Sequence, residues 1–544
     1  MKSLRIFGLL FLIALCSCDK QQAESSAMAQ PVAVAKPIQN IGLYQKPHVT
    51  LVAVTDWQAV LKPCGCTVDL QKGGVERIGK FVADLRTSDN SVVVVHAGNL
   101  LADDEPLSST RAQQAELRMR AFVAALDRIQ IAAVSLSSLD LQQGGPVAKK
   151  ILESVHWPLL SLDSTGGVNT AVPSAVIKTA SGVQVGLIGI DPASVGDDAA
   201  RQLRLQTLVG EVKSKGAQVV VVLSNLGLRP SRKLARSTTG IDVMVIGHLD
   251  AKADPEGDLE REGNTLVVHA TRQGAYFAAL TLVPSADGQW KEASEFLPGA
   301  VGDLQVRIAA LEKNLTQWRQ KKAVATQRAL PYLEQELAEM KKRLLAAQAA
   351  ASQPLPSGAL ALYRTVGLAW NAAVDPEIAQ LVKHYDDEVA EINMKNAGDV
   401  PKPADGQPHY VGQAVCAGCH QKTKDFVAND LHQHAWATLE NVGKTKDLDC
   451  VACHSTGFGK PGGSNLAKLK GFTNVQCEAC HGPGSQHADS PRKGMNSRII
   501  AAPNAPICAT CHTPEHAPRF AFEEYRKRIV VPGHGLPLPG GPKL

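Results

Sequence analysis

Eight cysteines near the C-terminal end form four copies of one pattern, Cys-x-x-Cys-His. The copies are Cys416-Ala-Gly-Cys419-His420, Cys450-Val-Ala-Cys453-His454, Cys477-Glu-Ala-Cys480-His481 and Cys508-Ala-Thr-Cys511-His512. Two thiols at this spacing can each form a thioether with a vinyl group of one haem, and the next histidine becomes the proximal iron ligand. Zinc ribbons and disulfide frameworks also pair cysteines, but neither needs a histidine after every pair. The pattern predicts four covalently bound haem c groups.

Each haem iron has a second axial position, and the same region supplies more histidines for it. The candidate distal ligands are His409, His432, His434, His487, His516 and His534. Met495 is the only methionine after residue 400, so we expect mainly bis-histidine haems of low reduction potential. His487 follows His481 by only six residues. That reach is too short to wrap around a haem, so we expect His487 to serve another haem.

The stretches around these motifs resemble the tetrahaem cytochrome family of ammonia oxidisers, the partner of hydroxylamine oxidoreductase. They read "YVGQAVCAGCH", "HQHAWATL", "CVACHSTGFGKPGG", "NVQCEACHGPGSQH" and "CATCHTPE", and the resemblance spans roughly residues 410–534. It implies a mainly α-helical domain in which haems that share crossed ligands lie close enough for electron hopping.

The resemblance also implies which haem each distal histidine serves. It assigns His434 to the third haem and His487 to the first. It assigns a late histidine to the fourth haem, for which His534 is the candidate and His516 the runner-up. The second haem, at His454, is five-coordinate in that family. In this chain the position is either open or closed by one of three histidines: His409, His432 and His516.

Residues 47–298 alternate β-rich apolar runs with amphipathic helical stretches. The runs include "VTLVAVT", "SVVVVHAG", "VQVGLIGI", "AQVVVVLSN", "DVMVIGH" and "NTLVVHAT", and the helical stretches include "GGVERIGKFVADLR" and "RAQQAELRMRAFVAALDRI". Buried strands between helices predict an α/β domain.

In the order of its motifs and in the strands and helix that flank them, this domain resembles the calcineurin-like metallophosphoesterases of 5′-nucleotidase type. The resemblance implies an α/β sandwich in which Asp, Asn and His residues bind two metal ions that activate water. This chain keeps Asp56 and His248 at the ligand positions. The remaining positions hold Gln58, Asn99, Ser137, Asn225 and Asp250. Gln and Ser are poor metal ligands and Asn is a neutral one. We therefore expect the domain to keep the fold of this family but to lack phosphoesterase activity.

Two cysteines, Cys64 and Cys66, follow the first predicted strand of this domain. A disulfide between them would be strained. Two thiolates could instead bind an additional soft metal or carry out redox chemistry. The alternative is a tight loop with two ordinary thiols. Asp56, His96 and His248 are the candidate neighbours of such a site.

The N-terminal segment predicts a membrane anchor, and a segment after the α/β domain predicts a connector. Residues 1–17 read as a lipoprotein signal peptide with lipidation at Cys18, and residues 18–46 as a flexible tether. Residues 299–405 are expected to form a helical connector and linker, and 406–544 the tetrahaem domain. Heptad-like seams in the connector predict either a short coiled coil or a helical hairpin on a neighbouring domain or subunit, and so a candidate oligomer contact.

Composition restricts the function classes. A net charge of +5 over 544 residues and only 4% aromatic residues argue against nucleic-acid binding.

We predict a multidomain cytochrome in the cell envelope, lipid-anchored on the periplasmic or outer-surface side, that exchanges electrons with redox partner proteins. The alternatives are a redox enzyme acting on a small nitrogen or sulfur compound at a five-coordinate haem, and a bifunctional phosphoesterase-cytochrome.

Overall fold

The structure is a computed structural model, which describes residues 45–62, 72–103, 106–163, 167–193, 197–248, 259–286, 288–297, 299–319, 324–490, 499–513, 516–517, 520–532 and 534–536. The predicted lipidation at Cys18 and the predicted site at Cys64 and Cys66 lie outside these residues, as do Asp250 and Met495.

The strands and helices are numbered in chain order. The strands are β1 (Val49–Thr55), β2 (Val92–Ala97), β3 (Ile131–Ser135), β4 (Leu159–Leu160), β5 (Ser174–Lys178), β6 (Gln184–Ile190), β7 (Val219–Ser224), β8 (Val243–Ile246), β9 (Glu260–Glu262), β10 (Thr265–His269), β11 (Tyr276–Val283), β12 (Lys291–Glu292), β13 (Leu360–Gly367), β14 (Val531–Pro532) and β15 (Gly535–Leu536). The helices are α1 (Val75–Ser88), α2 (Ala112–Ile129), α3 (Ser138–Ser154), α4 (Asp198–Ser214), α5 (Leu228–Ser237), α6 (Ala300–Arg319), α7 (Val324–Ala350), α8 (Pro376–Lys395), α9 (Gln413–Val427), α10 (Ala435–Val442), α11 (Leu448–His454), α12 (Cys477–His481), α13 (Ser485–Ala488), α14 (Ala505–Ala509) and α15 (Phe522–Ile529).

The front domain is built on two mixed sheets that pack face to face. One has the strand order β12-β13-β11-β1-β2-β3-β4 and the other β5-β6-β7-β8-β10-β9. Alternate side chains of both sheets, such as Leu51 and Val95 from one and Val185 and Val221 from the other, form a shared core. Helices α1, α2, α3 and α8 cover the outer face of the first sheet, and α4 and α5 that of the second. The predicted α/β sandwich is confirmed.

The front domain extends beyond residue 298, into the segment predicted as a connector. β13 pairs antiparallel with β11 along its whole length, and α8 contributes Ile378 and Val382 to the core under α1 and α2. The helical connector predicted over 299–405 therefore contains a strand and a helix of the front domain. Strand pairing between residues so far apart leaves no local pattern in the sequence.

Helices α6 and α7 form a hairpin inserted between β12 and β13. The two predicted seams meet, since Ile308, Leu311 and Leu315 of α6 pack with Leu330 and Met340 of α7. The hairpin also contacts the short 3-10 turn at Ser294–Phe296 of the front domain. Of the two predicted alternatives, α6 and α7 therefore correspond to the helical hairpin packed on a neighbouring domain, and not to the short coiled coil.

The C-terminal domain consists of short helices joined by loops, around a small apolar cluster that includes Trp436, Leu439 and Val451. Within the described residues no helix combines the length and the apolar composition needed to cross a membrane.

A buried ion pair near the start of β1 should make the front domain's stability depend on pH. The ring nitrogens of His48 face two acceptors, the Lys46 carbonyl at 2.8 Å and the Asp89 carboxylate at 2.9 Å, which requires an imidazolium. Burial alone would lower the pKa of His48, but the hydrogen bonds to Asp89 and Lys46 raise it overall. A raised folded-state pKa stabilises the protein fully below the unfolded value of 6.5, and this contribution disappears as pH rises through the folded-state pKa.

We therefore expect Asp89→Asn to lower the free energy of unfolding by about 3 kcal/mol at pH 6 and by clearly less at pH 9. Urea unfolding of the two proteins at both pH values measures the difference. Asp84→Asn is the control, because Asp84 forms an exposed pair with Lys80. An equal loss at both pH values would contradict a charged His48.

Candidate haem-binding sites

The first three Cys-x-x-Cys-His motifs lie on α9, α11 and α12 in turn, with a break in helical conformation at His420, and the fourth begins on α14 and continues past its end. A helical turn places cysteines three residues apart on one face, which two thioethers to a single porphyrin require. Asp447 begins α11 by accepting a hydrogen bond from the Asp449 backbone N–H. None of the eight cysteines forms a disulfide.

Three proximal histidines each face a second imidazole. The ring centroids lie 6.2 Å apart for His420 and His487, 6.1 Å for His481 and His534, and 6.1 Å for His512 and His432. Two imidazoles that bind one metal through nitrogens at about 2.0 Å have centroids roughly 6 Å apart. These three pairs therefore have the separation that a bis-histidine iron needs.

Hydrogen bonds at Nδ1 orient several of these rings. The bonds join His454 to the Ala435 carbonyl (2.6 Å), His481 to the Ile500 carbonyl (2.6 Å), His534 to the Ile529 carbonyl (2.8 Å) and His432 to the Asp430 carboxylate (2.7 Å). A ring that donates from Nδ1 keeps the lone pair of Nε2 for a metal. The hydrogen bond from His432 also lowers the pKa of Asp430, and burial lowers the pKa of His481.

The spacing of the cysteines and the separation of the imidazole pairs thus fit covalent haem.

Two further features mark these sites. The Nδ1 atoms of His487 and His512 are buried without a hydrogen-bond partner among the described residues. Thiols of different motifs also adjoin, since Cys416 is hydrogen-bonded to Cys477 and Cys453 to Cys511.

These contacts lower the pKa of the two acceptor thiols. The Cys416 thiol lowers the pKa of Cys477 to about 7, and the Cys453 thiol lowers that of Cys511 to about 6. Thioether bonds to haem would remove these titrations altogether.

The structure brings some predicted pairs together and separates others. His487 lies beside His420, as the resemblance implied, but His534 lies beside His481 rather than His512. The imidazole beside His512 is that of His432, while the Phe520 ring stacks on His512 at 4.4 Å, and His434 is exposed. The reason is local: Asp430 begins a 3-10 turn, and this turns the His432 ring inward and leaves His434 at its end.

The remaining candidates lie apart from the iron positions. The ring of His409 hydrogen-bonds the Gln407 carbonyl and the ring of His516 the Thr513 hydroxyl, and the backbone of His409 bonds to Ser485. No second histidine ring faces His454 among the described residues; its ring contacts the Thr438 hydroxyl at 3.2 Å.

A buried carboxylate that sequence reasoning missed ties the first motif to the third. Glu478, only 1% exposed, accepts hydrogen bonds from the backbone N–H groups of Val411, Gly412 and Gly484. These bonds fix the chain entering α9 against α12 and the turn before α13. They explain how His487, on α13, reaches the first motif. The only sequence signal was an acidic residue inside a haem motif.

The second candidate site lies in the front domain, where strand ends gather the predicted metal-ligand positions. The carboxylate of Asp56 accepts backbone N–H bonds from Asn99 at 3.0 Å and from His248 at 2.8 Å. The Asn225 amide donates to the Leu136 carbonyl and accepts from the Gly98 N–H, while Ser137 donates to Asn99. The ligand positions thus come together, and they bond to one another and to the backbone.

Backbone strain and burial also concentrate at these strand ends. Asp56, Gln58 and His248 have φ values of 45°, 54° and 58°, a left-handed conformation that costs about 1 kcal/mol or more for such residues. Burial lowers the pKa of His96 to about 3, and burial raises the pKa of Asp140 to about 6. Among the described residues, no three His, Cys, Asp or Glu side chains are placed to hold a metal ion.

Comparison with known proteins relates the C-terminal domain to one family. The profile described as "Cytochrome c554 and c-prime" matches residues 415–482, which hold the first three motifs. Cytochrome c-554 of Nitrosomonas europaea is 34% identical over 100 residues, covering 15% of this chain and 43% of that protein. A domain of this kind carries covalent haem and suggests electron transfer.

The front domain is similar to nucleotidases. A probable 5′-nucleotidase of Treponema pallidum is 24% identical over 224 residues, covering 37% of this chain and 36% of that protein. The chain thus spans less than half of either sequence relative. The crystal structure of a 5′-nucleotidase precursor from Thermus thermophilus aligns with 73% of this chain and 68% of its own, at TM-score 0.41 and 18% identity. Haemophilus influenzae NAD nucleotidase aligns with 70% and 68%, at TM-score 0.41 and 14% identity. The chain therefore joins an N-terminal α/β domain that is similar in sequence to a 5′-nucleotidase to a C-terminal cytochrome c554-like domain.

Proposed function

We propose that this chain is an extracytoplasmic electron carrier with four covalently bound haems, anchored to a membrane by lipid at Cys18. The observation that carries the proposal is the set of three imidazole pairs at 6.1–6.2 Å, each containing one proximal histidine. Bound haem would supply reversible one-electron redox chemistry at a low potential.

The protein's own residues have distinct parts in this function. The eight motif cysteines would fix each porphyrin by thioethers, and the paired histidines would hold each iron from both sides. A six-coordinate iron exchanges electrons without binding or releasing a ligand. Because each second histidine comes from outside the motif it serves, the haems would be held close together.

The location follows from the same chemistry. Cytochrome c domains are extracytoplasmic, since haem is attached outside the cytoplasm, and the signal at residues 1–17 agrees with export. Lipid at Cys18 would hold the protein on a membrane face. Its partners would be redox proteins, either other cytochromes or oxidoreductases, with no role for nucleic acid.

We further propose that the front domain has lost phosphoesterase activity. Two metal ions need several anionic or imidazole ligands around a shared space. Here Asn225 and Ser137 stand at ligand positions, and Asp56 already accepts backbone N–H bonds. A thiolate metal site at Cys64 and Cys66 stays a proposal for this domain.

A second candidate function is a redox enzyme at the second haem. The observation that favours it is the ring of His454, which is held at Nδ1 by the Ala435 carbonyl and faces no second imidazole among the described residues. An iron held only by His454 could bind a small nitrogen or sulfur compound.

Electron paramagnetic resonance of the intact, haem-loaded protein tests these proposals together. We expect four covalent haems per chain, with low-spin signals from the irons at His420, His481 and His512. A fourth low-spin signal, together with no binding of carbon monoxide or nitric oxide, would remove the enzyme candidate. A protein without covalent haem would contradict the proposed function itself.

Phosphoesterase assays with added manganese or zinc test the front domain. We expect no hydrolysis of nucleotides or of nitrophenyl phosphate above the background of Asp56→Ala. Activity that disappears in Asp56→Ala and His248→Ala would instead support the bifunctional hydrolase-cytochrome.

A further inference from the structure

Helices α2 and α8 of the front domain hold the first turn of α11, the helix that carries Cys450, Cys453 and His454. We propose that this contact is a mount for the second haem, in which Gln114 and Asn393 set the position of α11 and Arg118 sets the charge beside the haem. The inference rests on the proposed function, because it concerns the haem at the second motif.

Gln114 connects three parts of the mount. Its side chain is 1% exposed. It donates to the Asp447 carboxylate at 2.6 Å and accepts from the Leu448 backbone N–H at 3.0 Å. Asn393, 5% exposed, donates both to the Gln114 carbonyl oxygen at 2.7 Å and to the Lys446 carbonyl at 2.9 Å. The front domain thus satisfies backbone groups that the first turn of α11 leaves open.

A second set of contacts carries charge. Asp449 directly precedes Cys450, and its carboxylate accepts from the Arg118 guanidinium at 2.6 Å, with Arg111 at 3.5 Å. The Asp449 side chain is 30% exposed and that of Arg118 22%. The negative charge nearest the second motif in sequence is therefore balanced by cations of the front domain.

A third set of contacts, a cluster of ion pairs, completes the same interface. Lys444 donates to Asp447 at 2.9 Å and to Asp386 of α8 at 2.6 Å, and Asp386 also pairs with Lys62 at 2.9 Å. A different arrangement of the two surfaces would leave several of these polar groups unpaired, which stabilises the observed one. The mount therefore holds α11 in a single position relative to the front domain.

The charge pair has a predictable effect on redox chemistry. Reduction adds an electron, so an unbalanced carboxylate beside the haem disfavours the reduced state. Removal of the Arg118 charge should lower the potential of the second haem alone. Removal of the Asp449 charge should raise it, and removal of both should nearly restore the original value.

Potentiometric titration of the haem-loaded full chain, followed by electron paramagnetic resonance, measures this. The second haem is the transition missing from the Cys450→Ala/Cys453→Ala variant. We expect Arg118→Met to make reduction of that haem less favourable by roughly fivefold, as for loss of one partly screened charge. Asp449→Asn should shift it in the opposite direction, and the double variant should lie near the wild type. Arg120→Met is the matched control, because Arg120 lies on the same helix and pairs with Glu116 in solvent.

Gln114→Met tests position rather than charge. We expect it to shift or broaden the resonance signal of the second haem and to leave the other three signals unchanged. Gln113→Met, at an exposed neighbour that bonds Asn396, should change none. Unaltered second-haem transitions in Arg118→Met and Gln114→Met, at full haem content, would overturn the mount while leaving the proposed electron carrier intact. A chain without covalent haem would overturn both.

Discussion

Replacement of His487 by alanine should open the iron held by His420, although His487 lies only six residues from His481. The two rings face each other at 6.2 Å, with an angle of 21° between their planes. Loss of one axial imidazole leaves a five-coordinate, high-spin iron. We expect one additional high-spin signal and one additional carbon monoxide binding site per chain, at unchanged haem content, because the thioether bonds are untouched.

Two backgrounds show which iron responds. In a protein that lacks the first haem, Cys416→Ala/Cys419→Ala, the His487→Ala change should have no spectroscopic effect. In one that lacks the third, Cys477→Ala/Cys480→Ala, the full effect should remain. His516→Ala is the control, because that exposed ring bonds to the nearby Thr513 hydroxyl and faces no proximal histidine among the described residues. The opposite dependence on background would contradict the crossed ligation.

Replacement of Glu478 by alanine should destabilise the cytochrome domain more than any other single change proposed for it. The substitution leaves the N–H groups of Val411, Gly412 and Gly484 without their acceptor, in a region that excludes water. Each unsatisfied buried donor costs about 1–3 kcal/mol, and partial relaxation reduces the sum. We expect a loss of roughly 3–5 kcal/mol in the free energy of unfolding.

The measurement is guanidinium unfolding followed by the haem absorption band, which reports the C-terminal domain separately from the front domain. Glu478→Gln should lose less, because its amide oxygen still accepts one or two of these bonds. Glu440→Ala is the control at an exposed helical position. Equal midpoints for Glu478→Ala and Glu440→Ala would show that the buried carboxylate does not hold the first motif against the third.

Much of the front domain could be predicted because its signals are local. The run "VTLVAVT" is β1 residue for residue, and the helical stretch "RAQQAELRMRAFVAALDRI" contains the whole of α2. The role of β13 could not be predicted in the same way, because its partner β11 lies on the other side of the α6–α7 hairpin. An apolar run indicates a strand, whereas its neighbours depend on how distant segments meet.

The same division holds for the haem sites. Spacing alone predicts the four attachment motifs and the proximal histidines. The second imidazole of each pair depends on which distant segments meet. His534 lies beside His481 because the Ile529 carbonyl, at the end of α15, accepts a hydrogen bond from its ring. His432, and not His434, is oriented inward by the turn that begins at Asp430. The residues that hold the motifs, Glu478 and Gln114, carry no pattern of their own, since one buried hydrogen bond leaves no periodicity in a sequence.

The return of β13 and α8 to the front domain has a consequence for maturation. A protein is synthesised from its N-terminus, and its domains generally fold as units in that order. Both elements precede Cys416, so this order allows the first sheet and its helical cover to fold before any motif cysteine is available. The haem-attachment machinery would then act on an unfolded C-terminal segment that is joined to a folded front domain. The surface that contacts α11 would already be formed when haem is attached.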